Sequence, residues 1–99
     1  DRELWSPCFE TRVVGTTGAG DATIAGFLAA MLRDRGPEEC ATMACAVGAC
    51  NVEAADAISG IRSWNETCQR LQAGWPRKES SLPEADWCCS AETGVWNRR

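Results

Sequence analysis

Four residues in the first quarter of the chain have the types and spacing to do chemistry: Gly15, Gly18, Gly20 and Asp21, within VVGTTGAGDATIAGFLAAML. Glycines let a backbone approach a bulky anion because no Cβ intervenes. The aspartate directly after them is a lone carboxylate. An apolar run, Ala22 to Leu32, comes immediately after it. Permissive backbone, a lone acid and then an apolar segment suggest a loop that offers amides beside a carboxylate, at the end of a buried helix.

The elements needed to position such a loop are legible on either side of it. Residues 11–14 are short and β-prone and predict a strand. Residues 15–20 predict a turn, and residues 21 to about 33 a helix that stops near Gly36. The first amides of a helix have no internal acceptor, and the helix dipole adds partial positive charge there. A strand, a glycine turn and a helix N-terminus therefore make an anion site. Thr17 is a candidate for direct phosphate contact, although Thr16 and Thr17 could equally satisfy the turn through local bonds. Spacing alone leaves a plainer reading open, a strand-to-helix turn with Asp21 as its cap. Two phosphate loops are excluded. No G-K-[ST] comes after the glycines, and G-x-x-G-x-G runs the wrong way for a dinucleotide fingerprint. Gly26 lies deeper in the predicted helix and reads as a position without a role in the loop.

Further along, Pro37 suits the first position of a second helix, and Glu38 and Glu39 favour its positive end. That helix should reach about Ala54, with Asn51 and Glu53 at an end that could face a ligand or a metal but is read as solvated. Ser63 and Glu66 form a capping box for a third helix, which Gly74 and Pro76 should stop. Residues 1–10 read as a loop or edge segment and residues 76–99 as an irregular or disordered tail. The five tryptophans read as packing residues, Trp64 against the core. The segments Ala22 to Leu32 and Cys40 to Val52 are apolar on nearly every side, so both should be buried all round. One short strand and a third helix cannot cover them. A larger sheet would.

Composition narrows the partners. A chain of 99 residues holds one small domain with a thin core. Its net charge of −4 and lack of a basic patch exclude a nucleic-acid backbone as a partner. The apolar run at 22–32 is too short to span a bilayer. There is no histidine, and the seven cysteines show no C-x-x-C spacing. Cys40, Cys45 and Cys50 are separated by about 500° of helical turn and share no face, so no metal site is expected. The thiols read as reduced and mostly buried, in a cytoplasmic protein, with Cys88 and Cys89 exposed in the tail. The chain begins at Asp1 without a methionine, and is expected to be a piece of something longer.

TTGAGDATIAGFLAAML resembles the C-terminal signature of the ribokinase-like carbohydrate kinases, the PfkB family, whose motif reads D-T-x-G-A-G-D before an apolar helix. GPEECATMACAVGACNVEAADAISGIRSWNETCQRL is similar to the segment after that motif in the family. Residues 1–75 are thus read as the C-terminal portion of a PfkB kinase domain. The resemblance implies an α/β fold, part of a Rossmann-type α/β/α sandwich and mostly helical within this chain. It implies ATP-dependent phosphoryl transfer to a hydroxyl of a sugar or nucleoside, with ATP and Mg2+. By position, the amides of Gly18, Ala19 and Gly20 would form the anion hole and Asp21 would be the catalytic base. Thr17 and Cys45 become candidates for ATP binding. Cys45 falls where the family often has an asparagine near the adenine, and core packing is its other reading. Gly15 stands where the family has an aspartate that helps hold a monovalent cation, which puts that cation in doubt. Sugar recognition would come from an N-terminal portion that is a missing partner here. The alternative is a non-catalytic truncated or split piece that completes its fold with another chain. A third reading is an unrelated small helical domain.

Overall fold

Three helices carry most of the regular backbone in the computed structural model, which describes residues 3–56, 58–78 and 87–98. α1 spans Ala19–Leu32, α2 Pro37–Val52 and α3 Trp64–Gln72. Each boundary has a local cause. Gly18 caps α1 with φ 76°, a left-handed angle that glycine takes without strain, and its carbonyl accepts from the Ala22 amide at 2.9 Å. α1 therefore starts two residues before the predicted start at Asp21. Its closing turn comes at Asp34 rather than Gly36. Asp34 takes φ 57°, which lets the Arg35 amide reach back to the Ala30 carbonyl at 3.1 Å.

Pro37 occupies the first turn of α2, as expected. That helix ends at Val52, short of Ala54, because the Glu53 and Ala54 amides tighten onto the carbonyls of Cys50 and Asn51. The capping box of α3 is present in both directions. The Glu66 amide donates to Ser63 Oγ at 3.1 Å, and the Ser63 amide donates to Glu66 Oε1 at 3.3 Å.

The strand predicted over residues 11–14 does not form. Among the described residues no strand lies beside it. The Val14 and Gly15 amides instead both donate to the Val52 carbonyl, at 2.7 and 3.1 Å. A strand needs a neighbour to satisfy its ladder, and without one this segment remains irregular. Strands occur in the N-terminal segment, read as a loop or edge, and in the tail, read as irregular. β1 (Glu3–Trp5), β2 (Trp87–Cys89) and β3 (Trp96–Arg98) form an antiparallel sheet in the order β1-β3-β2. Trp5 and Cys89 lie on either side of Trp96. The described part of the stretch read as irregular is thus partly a sheet with the N-terminal segment. Residues 79–86 of that stretch lie outside the described residues.

Arg77 ties this sheet to the helices. Its Nη1 donates to Ser6 Oγ and the Pro7 carbonyl, and its Nη2 to Thr42 Oγ1 and the Thr93 carbonyl, at 2.7 to 3.1 Å. Beside it, Phe9 stacks on Trp75 at 4.7 Å between ring centres, and the Arg70 guanidinium lies over the Trp75 ring, 3.6 Å from its centre.

α1 and α2 form the main packed pair. The core is made of small residues in two patches. Phe9, Ala46 and Ala49 form one, and Ala30, Cys40 and Met43 form the other. Leu71 packs against both, and Trp64 packs against the second, as predicted. Gly26 lets the helices meet closely, since a Cβ there would stand 2.7 Å from the Met43 carbonyl. It is a packing position and not a neutral one.

α2 is largely buried, but α1 is buried only along Ala22, Gly26 and Ala30. Its other face leaves Ile24, Phe27, Leu28, Met31 and Leu32 exposed, with Val13, Val14, Ile58 and Ile61 exposed elsewhere. The expectation of all-round burial fails for α1 because nothing among the described residues covers that face.

Candidate functional site

The first turn of α1 is built by backbone. Gly18 is the N-cap, and Ala19, Gly20 and Asp21 are the first three helical residues. Helical geometry leaves these early amides without i−4 acceptors. Among the described residues, the amides of Gly18, Gly20 and Asp21 have no acceptor, whereas that of Ala19 donates to the Thr16 carbonyl at 3.2 Å. The free donors are thus Gly18, Gly20 and Asp21, which is not quite the Gly18–Ala19–Gly20 set that the motif implied. Gly20 faces open space, and a Cβ built on it would meet no atom within 4 Å. Asp21 is exposed and makes no hydrogen bond or ion pair among the described residues. A carboxylate without a partner therefore stands beside three free N–H groups, room for an anion next to a group that can receive a proton.

Two residues of α2 seat this turn. Gly48 lies against Thr23, whose hydroxyl donates to the Ala19 carbonyl at 2.8 Å, and a Cβ at 48 would stand 2.6 Å from that hydroxyl oxygen. One turn later, Asn51 Nδ2 donates to the Thr17 carbonyl at 3.0 Å. Asn51 is fully buried, and its Oδ1 has no donor among the described residues. An unpaired buried acceptor of this kind costs about 1–3 kcal/mol. The expected solvated end of α2 is thus wrong for Asn51. Glu53 is only partly exposed, gripped by both Arg70 nitrogens at 2.7 Å and by the Thr11 hydroxyl. The Arg70 guanidinium and, less strongly, the Thr11 hydroxyl hold the Glu53 carboxyl below the usual glutamate range, against the opposing effect of its burial.

Thr17 is exposed at the turn, with its carbonyl committed to Asn51. Cys45 is not brought to this site. It packs against the Phe9 patch, and its thiol donates to the Ser6 carbonyl at 3.5 Å. Burial pushes that thiol up. The seven cysteines are all free; Cys88 and Cys89 are exposed as expected, and Cys40 and Cys50 are buried.

Residues 2–64, which include the whole of this turn and its α2 seat, match the model of the pfkB family carbohydrate kinases. The chain belongs to the pfkB family. It is similar to a nucleoside kinase of Methanocaldococcus jannaschii, with 32% identity over 73 residues, covering 73% of this chain and 24% of that protein. It is also similar to an uncharacterized sugar kinase of Archaeoglobus fulgidus, with 43% identity over 61 residues, covering 62% of this chain and 24% of that one. The chain spans about a quarter of the length of the curated relatives it matches.

The residues present can be tested against the groups the pfkB family implies. Free amides and the open space at Gly20 fit a phosphate chain. No group of three histidine, cysteine, aspartate or glutamate residues that could hold a metal occurs among the described residues. Position 15, a glycine, carries no carboxylate for a monovalent-cation site, and the contact there is tight. A Cβ there would already stand 3.1 Å from the carbonyls of Ala54 and Ala55. No helix among the described residues is long and apolar enough to cross a membrane.

Proposed function

We propose that this chain supplies the phosphoryl-transfer corner of an ATP-dependent sugar or nucleoside kinase, as the C-terminal part of a larger cytoplasmic ribokinase-like α/β/α domain. The observation that carries the reading is the first turn of α1, where the unpaired Asp21 carboxylate stands beside the free amides of Gly18, Gly20 and Asp21. ATP supplies the γ-phosphoryl group and leaves as ADP. The amides receive charge on the phosphoryl oxygens, in a place where donors are already fixed and need no reorganisation. Asp21 orients the acceptor hydroxyl and takes its proton as the new O–P bond forms. A loose transition state asks little deprotonation of the base, so position matters more than basicity.

The exposed face of α1 supports the larger domain. Ile24, Phe27, Leu28 and Leu32 form an apolar surface of the kind that a sheet covers, and relatives about two and a half to three times as long supply more chain to build one. The same face favours a second reading, a non-catalytic piece that completes its fold with another chain.

The test is Asp21→Asn in the complete kinase domain. Transfer from ATP to a panel of sugars and nucleosides should fall by about 100- to 10,000-fold with ATP affinity retained. Near-normal turnover would remove Asp21 from the role of base.

A further inference from the structure

Asn51 is a costly residue for its place. It is fully buried, yet only its Nδ2 is used, on the carbonyl of Thr17, while Oδ1 lacks a donor among the described residues. Thr17 itself lies exposed at the turn. A leucine of similar size would fill the space without an orphaned acceptor. Neither packing nor hydrogen-bond bookkeeping explains an asparagine here.

Peptide geometry does. The Thr17 carbonyl and the Gly18 amide belong to one planar unit, in which C=O and N–H point in opposite directions. Holding the Thr17 oxygen toward α2 turns the Gly18 N–H away from it. That N–H is one of the three free donors of the turn, and Gly18, with no Cβ, is otherwise the residue best able to rotate. Gly48, one turn earlier, seats the same first turn of α1 through Thr23. The bond from Asn51 thus fixes the Thr17–Gly18 peptide, across 34 residues of sequence.

We infer that Asn51 is a positioning residue for phosphoryl transfer, holding the Thr17–Gly18 peptide so that the Gly18 amide faces the transferring group. The inference rests on the proposed kinase function. Asn51 touches no reacting atom. It acts through the loop.

The experiment compares Asn51→Leu with Asn51→Asp, Met43→Ala and Asp21→Asn in the complete kinase domain. Steady-state kinetics, thermal unfolding and amide hydrogen exchange are measured for each. Asn51→Leu should lower kcat by about 100-fold, the scale of a misplaced catalytic group. KM should stay within about threefold for both substrates. Its Tm should equal or exceed the parent's, and the amides of residues 18–21 alone should exchange faster. Met43→Ala should lose Tm while keeping kcat.

Asn51→Asp keeps the shape and covers the case in which leucine does not fold. A protonated carboxyl still donates to the Thr17 carbonyl, and a carboxylate cannot. Its kcat relative to the parent should therefore fall as pH rises. Parental kcat in Asn51→Leu, a kcat loss that merely tracks Tm, or a flat pH ratio near one for Asn51→Asp would overturn the assignment. If Asp21→Asn is inactive while the Asn51 variants are not, only the role of Asn51 fails. If Asp21→Asn is also fully active, the kinase reading of the site fails with it.

Discussion

Gly26 of α1 and the Met43 carbonyl of α2 meet where the two helices cross: a Cβ at position 26 would stand 2.7 Å from that oxygen and 2.9 Å from Val47 Cβ. The obstacle is backbone, which cannot swing aside as a side-chain tip would. Gly26→Ala should therefore force the helices apart and destabilise the protein by about 1–3 kcal/mol. A denaturation midpoint equal to that of the parent would show that the crossing is looser than this.

Gly20→Ala should do the opposite. Position 20 is the second residue of α1, and its surroundings are open. Alanine there should add about 0.5–1 kcal/mol of stability by restricting the unfolded chain. If the turn is the proposed anion hole, the added methyl stands, in the complete kinase domain, where a phosphoryl oxygen must approach. Transfer should drop by about 100- to 1,000-fold, the effect of losing one such donor. A variant both more stable and fully active would reduce the glycine to a turn former.

The uncovered face of α1 should make the isolated 99-residue chain associate with itself and bind a hydrophobic dye. Leu32, 82% exposed, and Ile24, 59% exposed, are the residues to change. Ile24→Glu with Leu32→Glu should reduce both effects, as read by sedimentation and dye fluorescence. A monodisperse parent chain that binds no dye would contradict this.

Glu53 and Arg70 should shape the acid limb of stability. Arg70 depresses the folded-state value of Glu53, so the pair's contribution is fully present above the ordinary glutamate range and is lost as pH falls through the folded value. Both side chains are partly exposed, so the contribution is about 1 kcal/mol after solvent screening. Glu53→Gln should lower neutral-pH stability by that amount and flatten the acid limb. Parallel pH profiles for the two proteins would rule the pair out.

Thiol accessibility should follow the fold. A neutral alkylating reagent should modify Cys8, Cys88 and Cys89 in the native protein, and Cys40 and Cys50 only on unfolding. Burial raises the Cys45 and Cys50 thiols and slows them further, because the thiolate is the reactive form. Early labelling of Cys50, read by mass spectrometry, would show that α2 opens more readily than its packing suggests.

What the sequence by itself determined is what a few neighbouring residues can settle. Ser63 and Glu66 cap α3 because both bonds close within three residues. Pro37 opens α2 because its missing N–H and fixed φ suit a first turn. The glycines before Asp21 yield a helix N-terminus with free amides for the same local reason. The motif also carried the family. Tertiary structure decided the rest. Residues 11–14 have the composition of a strand and no partner strand among the described residues, and a ladder cannot form alone. Trp96 finds a partner in Trp5, and no local signal could announce a pairing across most of the chain. Asn51 looked like a solvated helix end, because polarity in a sequence does not say what will fold over it. Its burial against Thr17, 34 residues away, appears only once α1 and α2 lie side by side. Local bonds are written in adjacent residues, whereas burial and strand pairing depend on which distant segments arrive.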